Sequence, residues 1–146
     1  MPNDTAWRLY ETTVLRLGRG GRLTVDLARP LDGDARDALA SLGVGERFAI
    51  ITAHNPGGRT LSAPRNAWRH LRLRVALAAR GVRAMPAMGE SPDRRHRERG
   101  VAVAMDGDDA IALARRFGQL AIYWFDGERF WLYGALEPRA AERLPV

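Results

Sequence analysis

The chain has 146 residues, with 46% hydrophobic and 27% charged positions and 23 basic against 17 acidic side chains, a formal net charge of +6. That composition belongs to a folded globular protein and excludes the disordered, collagenous and coiled-coil classes. The sequence contains no Cys, which rules out disulfides, a thiolate nucleophile and Cys-ligated metal sites, and no Lys, which rules out Schiff-base chemistry and a phosphate-loop lysine.

In chain order, residues 10–17 are rich in β-formers, are broken by Gly18-Arg19-Gly20-Gly21 and resume over 23–27, which predicts a hairpin. Ala35, Ala38, Leu39 and Leu42 recur at helical spacing ahead of Gly43, predicting a short helix from Asp32. Phe48-Ala49-Ile50-Ile51-Thr52-Ala53 is a continuous apolar run of strand length, suited to a central strand covered on both faces. After the loop 54–61, Ser62 stands as an N-cap with Pro64 in the first turn of a helix that runs to about Arg80 and stops at Gly81. Trp68, Leu71, Val75, Ala78 and Ala79 form one stripe of that helix. Asn66, His70, Leu73 and Leu77 form another on the opposite side, which predicts burial of both, with Arg65, Arg69, Arg72 and Arg80 as a basic ridge between them.

Residues 82–87 read as a short strand, 88–99 as a mobile or ligand-facing loop, 101–105 as a strand and 106–117 as a helix capped by Asp106 and closed by Gly118. Residues 120–125, Asp126-Gly127 and 129–133 read as a hairpin with a type I′ turn, and 137–146 as a frayed tail. The expected fold is a single α+β domain over 1–146, a mixed sheet with about three helices in the order β-β-α-β-α-β-β-α-β-β. No run approaches the apolar length of a membrane helix and Met1-Pro2-Asn3-Asp4-Thr5 lacks a signal-peptide pattern, so the expected location is cytoplasmic.

Residues 59–100 hold 11 Arg and three acids, while the remaining chain is slightly acidic. Arg in place of every Lys also fits the coding bias of a GC-rich genome, so the placement of the charge says more than its total. His54-Asn55-Pro56-Gly57-Gly58 leaves the best strand and feeds a helix N-terminus, where ligands collect in α/β architectures. Free N–H groups, the close approach allowed by Gly57 and Gly58, and Arg59 and Arg65 nearby suit an anionic group. The same residues also read as plain turn chemistry. Asn66 can orient either the loop or a ligand. His54, His70 and His96 are each candidate bases, although His70 on an apolar stripe reads as a hydrogen-bonded core group. Glu90, Asp93 and Glu98 lie among four Arg, which argues against a cation, and no metal site is expected. Tyr123, Trp124, Phe125, Phe130, Trp131 and Tyr133 read as core and cross-strand pairs before they read as base-stacking groups.

Phe48-Ala49-Ile50-Ile51-Thr52-Ala53-His54-Asn55-Pro56, Ser62, Asn66, Gly89, Glu98 and Leu113-Ala114-Arg115-Arg116-Phe117-Gly118-Gln119-Leu120-Ala121-Ile122 resemble the small bacterial family called domain of unknown function 3293, over about residues 8–134. His54 and His96 stand where that family is expected to carry Trp. The family carries no assigned activity, so the resemblance leaves reaction and cofactor unknown, and it draws attention to Asn55, Ser62, Asn66, Glu98 and Gln119. The leading expectation is a protein that binds a small anionic or polar ligand, such as a nucleotide. Its binding residues would be Asn55, Gly57, Gly58, Arg59, Ser62, Arg65, Asn66, Arg69 and Gln119. If it is an enzyme, Glu98 is the candidate acid or base, with Arg65 and Arg69 stabilising charge. The alternatives are a module for RNA or an acidic partner, using the ridge and a 94–99 arm, and an interaction protein with an aromatic hairpin interface.

Overall fold

The computed structural model describes residues 4–146, and in it the apolar run becomes strand β3 (Phe48–Thr52), buried on both faces. It lies inside one sheet with β1 (Val14–Leu17), β2 (Leu23–Asp26), β4 (Ala84–Glu90), β5 (Arg97–Val103), β6 (Ala121–Phe125), β7 (Phe130–Gly134) and β8 (Glu142–Arg143), in the order β2-β1-β4-β5-β3-β6-β7-β8. The helices are α1 (Asp4–Glu11), α2 (Gly33–Ala40), α3 (Ala63–Ala79) and α4 (Gly107–Arg116).

The expectation of a mixed sheet is corrected, because every neighbouring pair is antiparallel. The physical reason lies in the two helical crossovers. Helix α3 carries the chain from β3 to β4, two places away, and β5 fills the gap. Helix α4 carries it from β5 to β6, again two places away, and β3 fills that gap. Strands joined by a helix run the same way without touching, as in a split β-α-β unit.

Alternation along β3 feeds two cores. Phe48 and Ile50 join Trp7, Leu39, Phe125, Phe130 and Leu144 on one face, while Ala49 and Ile51 join Leu73, Leu77, Leu113 and Phe117 on the other. Helix α3 buries only the stripe with Asn66, His70, Leu73 and Leu77. The opposite stripe, predicted to be buried too, is open to solvent, with Trp68 62% and Val75 61% exposed.

Among the described residues four α-helices replace the three expected, because residues 4–11 form α1 where the β-formers from Tyr10 onward suggest a strand. Thr13 Oγ1 donates to Leu9 O at 2.9 Å, bonding back into the helix, and the strand starts at Val14. Trp7 fastens α1 to the C-terminal segment: its Nε1 donates to Glu142 Oε2 at 3.2 Å and the Arg139 guanidinium lies 4.7 Å over its ring. Residues 137–146, expected to fray, therefore add β8 and bury Leu144.

Residues 88–99 are the ends of a β4–β5 hairpin rather than a mobile loop. Ser91 and His96 close its turn, with Ser91 N donating to His96 O at 2.9 Å, and Asp93 accepts from Ser91 Oγ at 2.6 Å and Arg95 N at 3.0 Å. In the β6–β7 hairpin only Gly127 has positive φ, which excludes the type I′ turn, and Asp126 Oδ1 instead accepts from the N–H groups of Glu128 and Arg129. Asp32, Ser62 and Asp106 cap α2, α3 and α4 as read from the sequence. No helix among the described residues is long and apolar enough to cross a membrane.

Phe48 is fully buried, with its ring 5.3 Å from Phe125 and 6.1 Å from Phe130 between centroids. Phe48→Ala is expected to destabilise the fold by about 3–5 kcal/mol in urea unfolding, because the central strand leaves no room for collapse into the cavity.

Candidate functional site

Beyond β3 the chain reverses into α3, and the turn is built around Asn55 in the left-handed region (φ 48°, ψ 59°). That conformation is costly for most side chains and tolerated by Asn. It lets the Asn55 amide serve three elements at once. Nδ2 donates to Glu98 Oε1 on β5, while Oδ1 accepts from Leu61 N and from Asn66 Nδ2 on α3, each at 2.9 Å. Asn55 N in turn donates to Asn66 Oδ1 at 2.9 Å. Asn66 thus orients the loop.

The rest of the turn leans on α4 and its end. Gly57 N donates to Gly118 O at 2.7 Å, and a Cβ on Gly118 would lie 2.9 Å from Pro56 Cβ at a φ of +72°, so glycine is required there. Gln119 Nε2 donates to His54 O at 3.0 Å and to Phe117 O at 3.3 Å. Arg69 turns away from the expected ridge, its Nε donating to Ala53 O at 2.6 Å and its Nη2 to Phe117 O. Ser62 caps α3 by accepting from Arg65 N.

Several residues read as ligand contacts are thus occupied within the protein. The N–H groups of Gly57 and Gly58 donate to Gly118 O and Asn55 O, and Arg59 and Arg65 extend into solvent. What the fold does bring together is Asn55, Gly58, Glu98 and Gln119, on the wall of a cleft of about 380 Å³ between α1 and the sheet. Ile50, Ala87 and Ile122 supply apolar surface, and Tyr10, Thr13, Thr60 and His96 supply further polar groups. Glu98 stands opposite Gly89 in the β4–β5 register, and Gly89 has no side chain to crowd it.

Burial pushes the half-buried Glu98 carboxyl above the usual carboxylate range, against the Asn55 hydrogen bond and the charge of His96, which favour the ionised form. Burial and then the charge of Glu98 push the Tyr10 phenol up to about 12. Burial also raises Tyr123, whose hydroxyl donates to Tyr10 O at 2.6 Å. Glu90, next to Gly89 on β4, also borders this cleft, but its carboxylate is held by Arg16 at 2.9 Å and Arg97 at 3.1 Å, whereas that of Glu98 has no arginine partner among the described residues. Tyr10 and Thr13 carry no sequence signal as cleft residues, because the run from Tyr10 reads as a strand. Glu98 was singled out by the resemblance, and a period of two over 97–103 would have placed it on a sheet face.

His54 and His70 meet edge to face, with ring centroids 6.1 Å apart, and His54 Nε2 and His70 Nδ1 are buried without hydrogen-bond partners. The expectation of a hydrogen-bonded His70 is corrected at that nitrogen. Burial, then Arg99, His54 and Arg74, lower His70 to about 4, and burial with Arg99 and Arg69 lowers His54.

Two outcomes follow from this geometry. Asn55→Ala should cost about 2–4 kcal/mol in chemical unfolding, since it combines left-handed strain with unmet donors at Leu61 N and Asn66 Nδ2. His70 takes up protons less readily folded than unfolded, so its contribution to stability is present above 6.5 and lost as pH falls towards about 4. Melting temperatures of His70→Leu should fall less steeply over that window than those of the unaltered protein.

Residues 51–122 match the family described as Protein of unknown function (DUF3293). The matched segment runs from β3 into β6 and contains Asn55, Asn66, Glu98 and Gln119. No curated protein and no solved structure matches the chain. Through that segment, the chain is similar to the DUF3293 family of proteins of unknown function.

Proposed function

We propose that the chain is a cytoplasmic protein that binds a small, uncharged polar molecule in the cleft beneath α1, with Glu98 as the group that exchanges a proton or a hydrogen bond with it. The observation that carries this reading is a half-buried carboxyl, displaced towards its neutral form, on the wall of a cleft with apolar surface. Such pairings of cleft and perturbed carboxyl are characteristic of functional sites. A carboxyl accepts when ionised and both donates and accepts when protonated, which complements an amide, a carbonyl or a nucleobase-like ring edge. Of the two ligand classes expected, polar is favoured over anionic here, because no arginine is among the described residues lining this cleft although the chain has 23. Asn55 fixes the carboxyl while Tyr10 and Thr13 face it from the other wall.

A second reading, a partner-binding protein, is supported by α3 rather than by the aromatic hairpin. Trp124 and Trp131 are half-buried and donate to Met105 O and Asp126 Oδ2, whereas Trp68, Leu71 and Val75 stand exposed on α3, with Arg65 and Arg72 also exposed on that helix. An acidic partner would suit that surface.

Side-chain carboxyl titration followed by NMR should place the Glu98 midpoint above that of an unstructured Glu, and a midpoint at or below it would remove the proton-exchange role. The raised folded value means that Glu98 contributes most below the ordinary carboxylate range and loses this as pH rises through its folded midpoint. Glu98→Gln should therefore abolish that decline in melting temperature. In a screen of neutral amides and heterocycles, saturable shifts at Asn55, Glu98 and Tyr10 should survive about 0.3 M salt and weaken by about tenfold in Glu98→Gln. Response only to polyanions, vanishing in salt, would favour the second reading.

A further inference from the structure

Across the sheet from the Glu98 cleft, α3 and strands β1, β4 and β5 border a second cavity of about 600 Å³. The alternation of β5 sorts its charges by side: Arg97 and Arg99 border this cavity, and Glu98 faces the other way. Arg16 from β1 and Arg74 from α3 join them, with His70 one turn before Arg74. The only carboxylate bonded here among the described residues is Glu90, whose Oε1 accepts from both Arg16 and Arg97. Arg74 and Arg99 have no salt-bridge partner among the described residues. The remaining wall is apolar, with Leu77, Val82, Met85 and Val101. His70 is only 7% exposed, and its lowered titration reflects Arg99 and Arg74 after burial itself, the mark of an uncompensated positive field at this depth.

We propose that this cavity binds a small molecule carrying a phosphate monoester, the dianionic head between Arg74 and Arg99 and the apolar body against Leu77 and Val82. Two unmatched guanidinium groups call for two negative charges, which a phosphate monoester supplies and a single carboxylate does not. A volume of about 600 Å³ falls within the range of small-molecule sites. A polynucleotide backbone would instead need contacts that continue along the surface, to arginines such as Arg65 and Arg72 that lie outside this cavity. Among the described residues the two cavities share only Ala87 and Gly100 as lining residues, so this site stands or falls separately from the Glu98 reading.

Calorimetric titration with phenyl phosphate, a phosphate monoester with an apolar body, tests the site, with benzoate as the singly charged control. Phenyl phosphate should bind at least about tenfold more tightly than benzoate and lose about tenfold or more in Arg74→Gln and in Arg99→Gln. Arg74 and Arg99 are exposed enough for both variants to keep the fold. Arg65→Gln, Arg72→Gln and Glu98→Gln should leave the affinity unchanged. In the unaltered protein the His70 ring resonances should move on titration, a readout that needs no variant. Equal binding of benzoate, equal losses in Arg65→Gln, immobile His70 resonances, or binding of a short RNA but not of phenyl phosphate would each overturn the proposal.

Discussion

The left-handed turn at Asn55 is the constraint on which the rest of this fold hangs. One side-chain amide ties the exit of β3 to the start of α3 and to Glu98 on β5, and those are the elements that the split crossover must hold in register. A backbone N–H in place of any of these bonds would need another strand or turn at the same point. Asn is suited because its short amide both donates and accepts and because it tolerates positive φ. Gly118, Gln119 and Arg69 support the same turn from beneath, and all of them direct polar atoms or close contacts at the backbone of residues 53–57.

Around that clamp, a single strand separates two chemically different cavities. In β5 the sequence Arg97-Glu98-Arg99 places its carboxylate on one face and its guanidinium groups on the other, because side chains alternate along an extended backbone. Glycine at position 100 is required by the close approach of β3 to β5, since even a Cβ there would meet Ile51 O at 2.5 Å. Among the described residues, the cleft under α1 is thus lined by carboxyl groups and no arginine, and the cavity under α3 by four arginines, two of which reach Glu90. Neither could be inferred from the central segment's excess of positive charge, which belongs mostly to the α3 side and to the surface.

The histidines illustrate the limit of residue-type reasoning. Taken singly, His54 and His70 are candidate bases. Brought together beside arginines, with one nitrogen of each buried and unpartnered, they take up protons less readily than free imidazoles. Glu98 was one acid among several in an Arg-rich stretch until β4 placed Gly89 opposite it and Asn55 bonded it.

Local signals in the sequence determined most of the elements: the apolar run of β3, the caps at Asp32, Ser62 and Asp106, and the β6–β7 hairpin are all readable because each depends on neighbours a few residues apart. The sequence reading of 10–13 as strand and of 88–99 as a mobile loop fails because their conformation is fixed from a distance, by Glu142 and Arg139 on Trp7 of α1 in the first case and by the cross-strand pairing of β4 with β5 and β1 in the second. Tertiary structure alone decided which strands touch, which side of β5 each charge occupies and which face of α3 stays open. Those outcomes are set by register and alternation across the sheet, and the Asn55–Glu98 bond spans 43 residues that no sequence window reads together.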